Sequence, residues 1–219
     1  MSIIENLEEI TKSISKKVTL VAVSKTKPNG DILEAYDAGH RVFGENKVQE
    51  MTKKWETLPK DIQWHMIGHL QRNKVKYMAE FVSLIHGVDS FRLLREINKQ
   101  GAKCNRAIPC LLQMHIAEED TKFGLDQTEL EEIVNSEDFK AMQHVEIKGL
   151  MGMATYTDDE SQIRKEFKSL KRVFENLKKI LPKIDTLSMG MSGDYKIAIE
   201  EGSTMVRIGS SIFSARNYS

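Results

Sequence analysis

The stretch Val18–Gly39, VTLVAVSKTKPNGDILEAYDAG, changes its period part-way along. Val18 to Lys25 is a short run of apolar and β-branched residues, the pattern of a strand buried on both faces of a parallel sheet. Pro28, Asn29 and Gly30 break that run and open a helix expected to last to about Ala38, where Gly39 stops it. Upstream, Ser2 and Glu5 form a capping box, and Ile3, Leu7, Ile10 and Ile14 recur at helical spacing. An extra amphipathic helix therefore precedes the first strand.

The same cycle continues along the chain. Strands are expected at Arg41–Asn46, Ile62–Gly68, Val82–Ser90, Ala107–Ala117, Ile147–Thr155, Thr186–Ser192 and Met205–Phe213. Helices are expected near 47–58, 70–80, 91–103, 126–143, 158–181 and 194–201. Strand alternating with helix, without hairpin turns, means right-handed βα units around a parallel sheet. Eight such units suit a single (β/α)8 TIM-type barrel of class α/β, with an open doubly wound sheet as the alternative. No composition break divides the 219 residues, so the expectation is one domain over 1–219.

The 32 basic residues balance the 32 acidic ones, which argues against bulk binding to nucleic acid or membrane. The cysteines Cys104 and Cys110 form no metal or redox motif. No apolar run reaches the ~20 residues of a membrane span, and no signal peptide opens the chain, so a cytoplasmic location is expected. His65 and His69 have i, i+4 spacing, but Gly68 and the change from strand to helix between them spoil a metal site, and none is expected. The cluster Arg72, Lys74 and Lys76 reads as a solvated face. Lys165, Lys168, Lys171 and Arg172 read as the exposed side of a helix whose core stripe is Phe167, Leu170, Phe174 and Leu177.

In a barrel the chemistry sits at the C-terminal ends of the strands. Lys25 ends the first strand. It is either a strand-end lysine that snorkels to solvent or an amine poised for Schiff-base chemistry. Lys27, two residues on, is expected to be solvated. After the seventh and eighth strands come Ser192-Gly193-Asp194 and Gly209-Ser210-Ser211, where such barrels often hold a phosphate. Glycine admits backbone N–H groups close to an anion, and Ser192 also reads as the cap of the next helix. Arg207 lies inside an apolar strand, as an ion pair across the barrel or as a donor to a ring nitrogen or an anion. A lysine for an aldehyde, donors for a phosphate and a cation for a pyridine nitrogen together describe a site for pyridoxal 5′-phosphate.

The sequence resembles the pyridoxal phosphate homeostasis family, which looks like the barrel domain of alanine racemase standing alone. The segments that carry the resemblance are Ala22–Lys27, Phe43–Asn46 with Val48–Glu50, Trp64–Gly68 with Leu70-Gln71 and Asn73-Lys74, Val88–Ser90, Lys122 with Gly124, Gly149–Met151, and Leu187–Arg216, LSMGMSGDYKIAIEEGSTMVRIGSSIFSAR. The resemblance implies a closed barrel whose Lys25 carries the cofactor as an internal aldimine. It implies Ser192, Gly209 and Ser210 near the phosphate, Arg207 at the pyridine nitrogen and Asn46 near the ring, with His65 and Ser90 lining the pocket. Lys47, His115 and Ser214 depart from the family pattern.

The resulting expectation is a protein that carries and buffers the cofactor without turnover of its own. Racemisation needs two positioned acid/base groups, and the sequence places only Lys25. An arginine at the ring nitrogen also leaves a weaker electron sink. The chain stops at Ser219, soon after the eighth strand, so no second domain is expected. The alternatives are a small fold-type-III enzyme such as an amino-acid racemase, and an interaction module without a cofactor. The partners expected are apo enzymes that need the cofactor, with the protein itself a monomer or weak homodimer.

Overall fold

A computed structural model describes residues 2–118 and 123–213. Eight strands close in sequence order into a parallel barrel: β1 Thr19–Val23, β2 Val42–Glu45, β3 Gln63–Met66, β4 Leu84–Val88, β5 Ile108–Gln113, β6 Val145–Met151, β7 Thr186–Ser188 and β8 Met205–Ile208. Closure is by β1 on β8, with Thr19 opposite Met205 and Val21 opposite Arg207. The helices are α1 Ile3–Ser13, α2 Asn29–Asp37, α3 Val48–Thr57, α4 Phe91–Lys103, α5 Gln127–Asn135, α6 Glu137–Lys140, α7 Glu160–Ile180, α8 Tyr195–Glu200 and α9 Ser210–Phe213.

Two apolar layers hold this together. The larger lies between the barrel wall and the helices and includes Ala22, Phe43, Trp64, Ile85, Leu112, Leu150, Val206 and the α7 stripe Phe167, Leu170, Phe174 and Leu177. Each large side chain buried there contributes about 1.5–3 kcal/mol relative to exposure. The smaller fills the barrel and consists of Val21, Leu84, Leu111, Met151 and Met205. Alternation along β1 thus points Val21 inward and Leu20 and Ala22 outward, as the period-2 pattern requires.

One glycine is fixed by the sheet itself. The β5–β6 register shifts by one residue between Cys110↔Ile147 and Leu111↔Gly149, leaving Lys148 as the bulge. Gly149 has φ +154, and a Cβ there would stand 1.8 Å from the Thr186 carbonyl oxygen of β7. Only glycine lets the two strands approach that closely.

The elements differ from expectation mainly at their ends. Strands end earlier because the polar and glycine residues at their C-terminal ends belong to the loops. The eighth ends at Ile208, and the apolar pair Ile212 and Phe213 lies in α9, not in the strand. The 70–80 segment is a 3-10 helix over Arg72–Tyr77. The 126–143 segment is two helices, because Ser136 ends α5 and caps α6, its hydroxyl accepting the Phe139 N–H. The capping box of Ser2 and Glu5 is formed, and α1 packs outside the barrel against α2 and α9, with Asn6 Nδ2 donating to the Ile212 carbonyl at 3.0 Å.

Candidate cofactor site

The barrel interior changes character one layer above its apolar floor. Two residues on from Leu84, Leu111, Met151 and Met205 stand His86, Gln113, Met153 and Arg207. This polar layer faces the C-terminal mouth, where the βα loops gather.

Arg207 is 4% exposed and its guanidinium meets neutral acceptors. It donates to the Ser188 hydroxyl at 2.6 Å and to the Gly152 carbonyl at 3.2 Å. No carboxylate lies within ion-pair distance of it among the described residues, so the cross-barrel ion pair is not formed. Burial lowers its pKa to about 10, so it is still charged at neutral pH.

The contacts continue across the barrel. Ser188 Oγ lies 3.0 Å from His86 Nδ1, and His86 Nε2 lies 3.0 Å from His65 Nδ1. Burial holds both rings neutral, lowering His65 to about 3 and His86 well below its usual value. The Ser188 hydroxyl accepts from Arg207 and bonds His86, and the ring tautomers set which nitrogens carry the protons along the two histidine contacts. The chain runs Arg207 to Ser188 to His86 to His65, from β8 to β3.

The β1–β8 seam supplies the other groups. Lys25 lies in the turn beyond β1, half-buried, and its ammonium makes no hydrogen bond or ion pair among the described residues. Gly209 follows β8, and a Cβ there would stand 3.1 Å from Val23, so the Gly209 loop packs on the end of β1, two residues before Lys25. The Gly209 N–H donates to Ser192 Oγ at 3.3 Å, which joins the loops after β7 and β8. Ser192 is not the cap of α8. Asp194 holds that position, and its carboxylate accepts the Met191 N–H at 2.6 Å. Lys27 is not simply solvated either: it is half-buried and donates to the Phe213 carbonyl at 2.8 Å.

Behind the Lys25 turn lies a buried charge cluster. Lys54 Nζ, on α3, donates to Glu45 Oε1 at 2.7 Å, Glu50 Oε1 at 2.7 Å and the Ser24 carbonyl at 2.9 Å. Ser24 Oγ donates to Glu45 Oε1 at 2.6 Å, and among the described residues Glu45 Oε2 is buried without a partner. Burial raises the Glu45 carboxyl pKa, with Lys54 pulling the other way.

The sequence matches the family described as alanine racemase, N-terminal domain, over residues 1–217. It is 38% identical over 234 aligned positions, spanning all of both chains, to a pyridoxal phosphate homeostasis protein of Pasteurella multocida. The chain belongs to this family. Its fold is similar to that of PipY from Synechococcus elongatus with PLP bound, with a TM-score of 0.88, 33% identity, and 97% of this chain and 100% of that one covered. An alanine racemase from Clostridium difficile shares the fold at 13% identity and a TM-score of 0.79, with 100% of this chain and 56% of that one covered.

Against the family pattern, the structure brings Lys25, Ser192, Arg207, Gly209 and Ser210 to adjoining elements at one side of the mouth. Asn46 is half-buried at the end of β2, its backbone so close to Gly68 that a Cβ there would meet the Asn46 carbonyl oxygen at 2.5 Å. His65 is part of the interior chain, and Ser90 caps α4 by accepting the Leu93 N–H. Lys47 is exposed at the start of α3, and His115 is exposed beyond β5. Ser214 and Lys122 lie outside the described residues.

The two histidines at i, i+4 separate: His65 points into the barrel, and His69, on the rim, bonds Asp89 at 3.0 Å and stacks on Phe123. Among the described residues no group of three metal-ligating side chains occurs, and no helix is long and apolar enough to cross a membrane. Sequence reasoning missed His86, Ser188, Glu45 and Lys54. The available signal was a histidine at an inward position of the otherwise apolar β4.

Proposed function

We propose that this protein binds pyridoxal 5′-phosphate at the β1–β8 side of the barrel mouth and carries it without turnover. When bound, the cofactor supplies an aldehyde, an electrophile for a lysine amine. Lys25 Nζ is the attachment point. Arg207 donates to the pyridine nitrogen with N–H groups not used on Ser188 and Gly152. Ser192, Gly209 and Ser210 bind the phosphate, and Asn46 flanks the ring.

The observation that carries this reading is the state of the two cations. Lys25 Nζ makes no hydrogen bond or ion pair among the described residues, and its turn follows the end of β1 against which Gly209 packs. Arg207 is a buried guanidinium whose hydrogen bonds go only to neutral groups, with the Asp194 carboxylate acting on it through its field and not as an ion pair, so N–H groups remain for a ligand. The relatives' designation as homeostasis proteins and the PLP held by PipY point the same way.

The same chemistry favours carriage over catalysis. A charged arginine does not protonate the ring nitrogen, so the electron sink stays weak. The neutral histidines are engaged with each other and with Ser188. Tyr36 donates to Asp61, and Tyr195 sits 3.4 Å from Ser13 of α1, both among the outer helices. These histidines and tyrosines are thus engaged elsewhere and do not supply a second acid/base opposite Lys25. The recipients of the cofactor would be apo enzymes in the cytoplasm. Loaded protein incubated with L-alanine in D2O should incorporate no α-deuterium, while an added apo PLP enzyme should regain activity. Sustained exchange at the α-carbon, lost in Lys25→Ala, would instead establish the racemase-like reading.

A further inference from the structure

Ser24 to Lys27 form a tight turn with Lys25 and Thr26 at its centre, closed by the Lys27 N–H donating to the Ser24 carbonyl at 3.0 Å. Thr26 has φ 64. A positive φ at the third position of a turn suits glycine, and for a β-branched residue it is an outlier held by its surroundings.

Those surroundings are the charge cluster behind the turn. The carbonyl of the peptide entering Lys25 accepts from Lys54 Nζ at 2.9 Å. The N–H of the peptide leaving Lys25 is that of Thr26, and it donates to Glu50 Oε1 at 2.6 Å. Lys54 and Glu50 are themselves paired at 2.7 Å. Both peptides flanking Lys25 therefore end on one ion pair, and Glu45 and Ser24 fix Lys54 from the barrel wall. Lys54 is 5% exposed, although an i, i+4 Glu–Lys pair on a helix is ordinarily a surface feature.

We propose that Lys54 and Glu50 are positioning residues which, acting through the strained Thr26 turn, aim the Lys25 amine into the barrel mouth. The inference rests on Lys25 being the attachment point for pyridoxal phosphate. Among the described residues the pair makes no hydrogen bond to the amine itself. It restricts the two peptides that set where Lys25 points, and such preorganisation lowers the ordering cost of binding.

Thr26→Gly separates this role from simple support. Glycine keeps the N–H that bonds Glu50 but removes the strain and widens the turn's freedom. The melting temperature of the apo protein should rise, while affinity for pyridoxal phosphate should fall by about tenfold. Lys54→Met should weaken binding further, and Lys54→Arg should restore part of the loss. Each variant is measured for apo melting temperature, for pyridoxal phosphate dissociation constant and for the residue fixed by borohydride. Thr26→Gly protein that melts higher and binds as tightly as wild type would overturn the proposal, even if Lys54→Met fails to fold. Wild-type protein fixed at a residue other than Lys25 would overturn the attachment reading, and this proposal with it.

Discussion

Arg207→Met should leave the apo protein about as stable as wild type and weaken pyridoxal phosphate binding about 10- to 100-fold. The two effects separate because the buried guanidinium hydrogen-bonds only neutral groups and meets the Asp194 carboxylate through its field alone. Desolvating an ion costs several kcal/mol, and a thioether of similar length avoids that cost. The loss of donors to Ser188 and the Gly152 carbonyl, about 1–3 kcal/mol per unsatisfied group, opposes the gain. What methionine cannot replace is the donor proposed for the ring nitrogen. Thermal melting of the apo protein and a spectral titration with the cofactor measure the two effects separately. A steep fall in melting temperature with binding intact would make Arg207 a structural residue and remove it from the site.

The second large effect is in acid. Between pH 6.5 and pH 5 the protein should lose stability at on the order of 1.4 kcal/mol per pH unit for each of His65 and His86. In the unfolded chain both rings take up protons through this range. In the native barrel they do not, since burial lowers His65 to about 3 and His86 well below its usual value. The unfolded state thus binds more protons, and stability rises with pH across the window. His40, also lowered by burial, adds to the slope in the same direction. Urea unfolding at half-unit steps measures the slope. His65→Asn should make it shallower, because the amide can bond His86 through its oxygen or its NH2 group and does not titrate. A flat profile over this range would mean that the buried histidines take up protons in the native barrel just as they do in the unfolded chain.

The fold was legible because the eight apolar runs are separated by turn residues and helix-period stretches. Val18–Lys25 followed by Pro28-Asn29-Gly30 shows the unit plainly. Strand ends were not legible, since Ser24, Lys25 and Gly209 carry on the sequence of their strands while their backbones have already turned away. Lys25 and Arg207 stood out as cations in apolar runs. Ser188 and His86 did not, because a serine and a histidine acquire meaning only when a contact 102 residues apart brings them together. Lys54 was hidden for the opposite reason: its spacing from Glu50 imitates an ordinary exposed helix pair, and only the barrel wall carrying Glu45 makes it buried.

The central claim is that Lys25 receives the cofactor. Purified protein is titrated with pyridoxal phosphate while the near-ultraviolet and visible spectrum is followed, then reduced with borohydride, digested and mapped. Attachment at Lys25 gives a cofactor band on titration, its loss in Lys25→Ala, and a single modified peptide labelled at Lys25. A label on Lys27 or scattered over surface lysines, or no band at all, would contradict it.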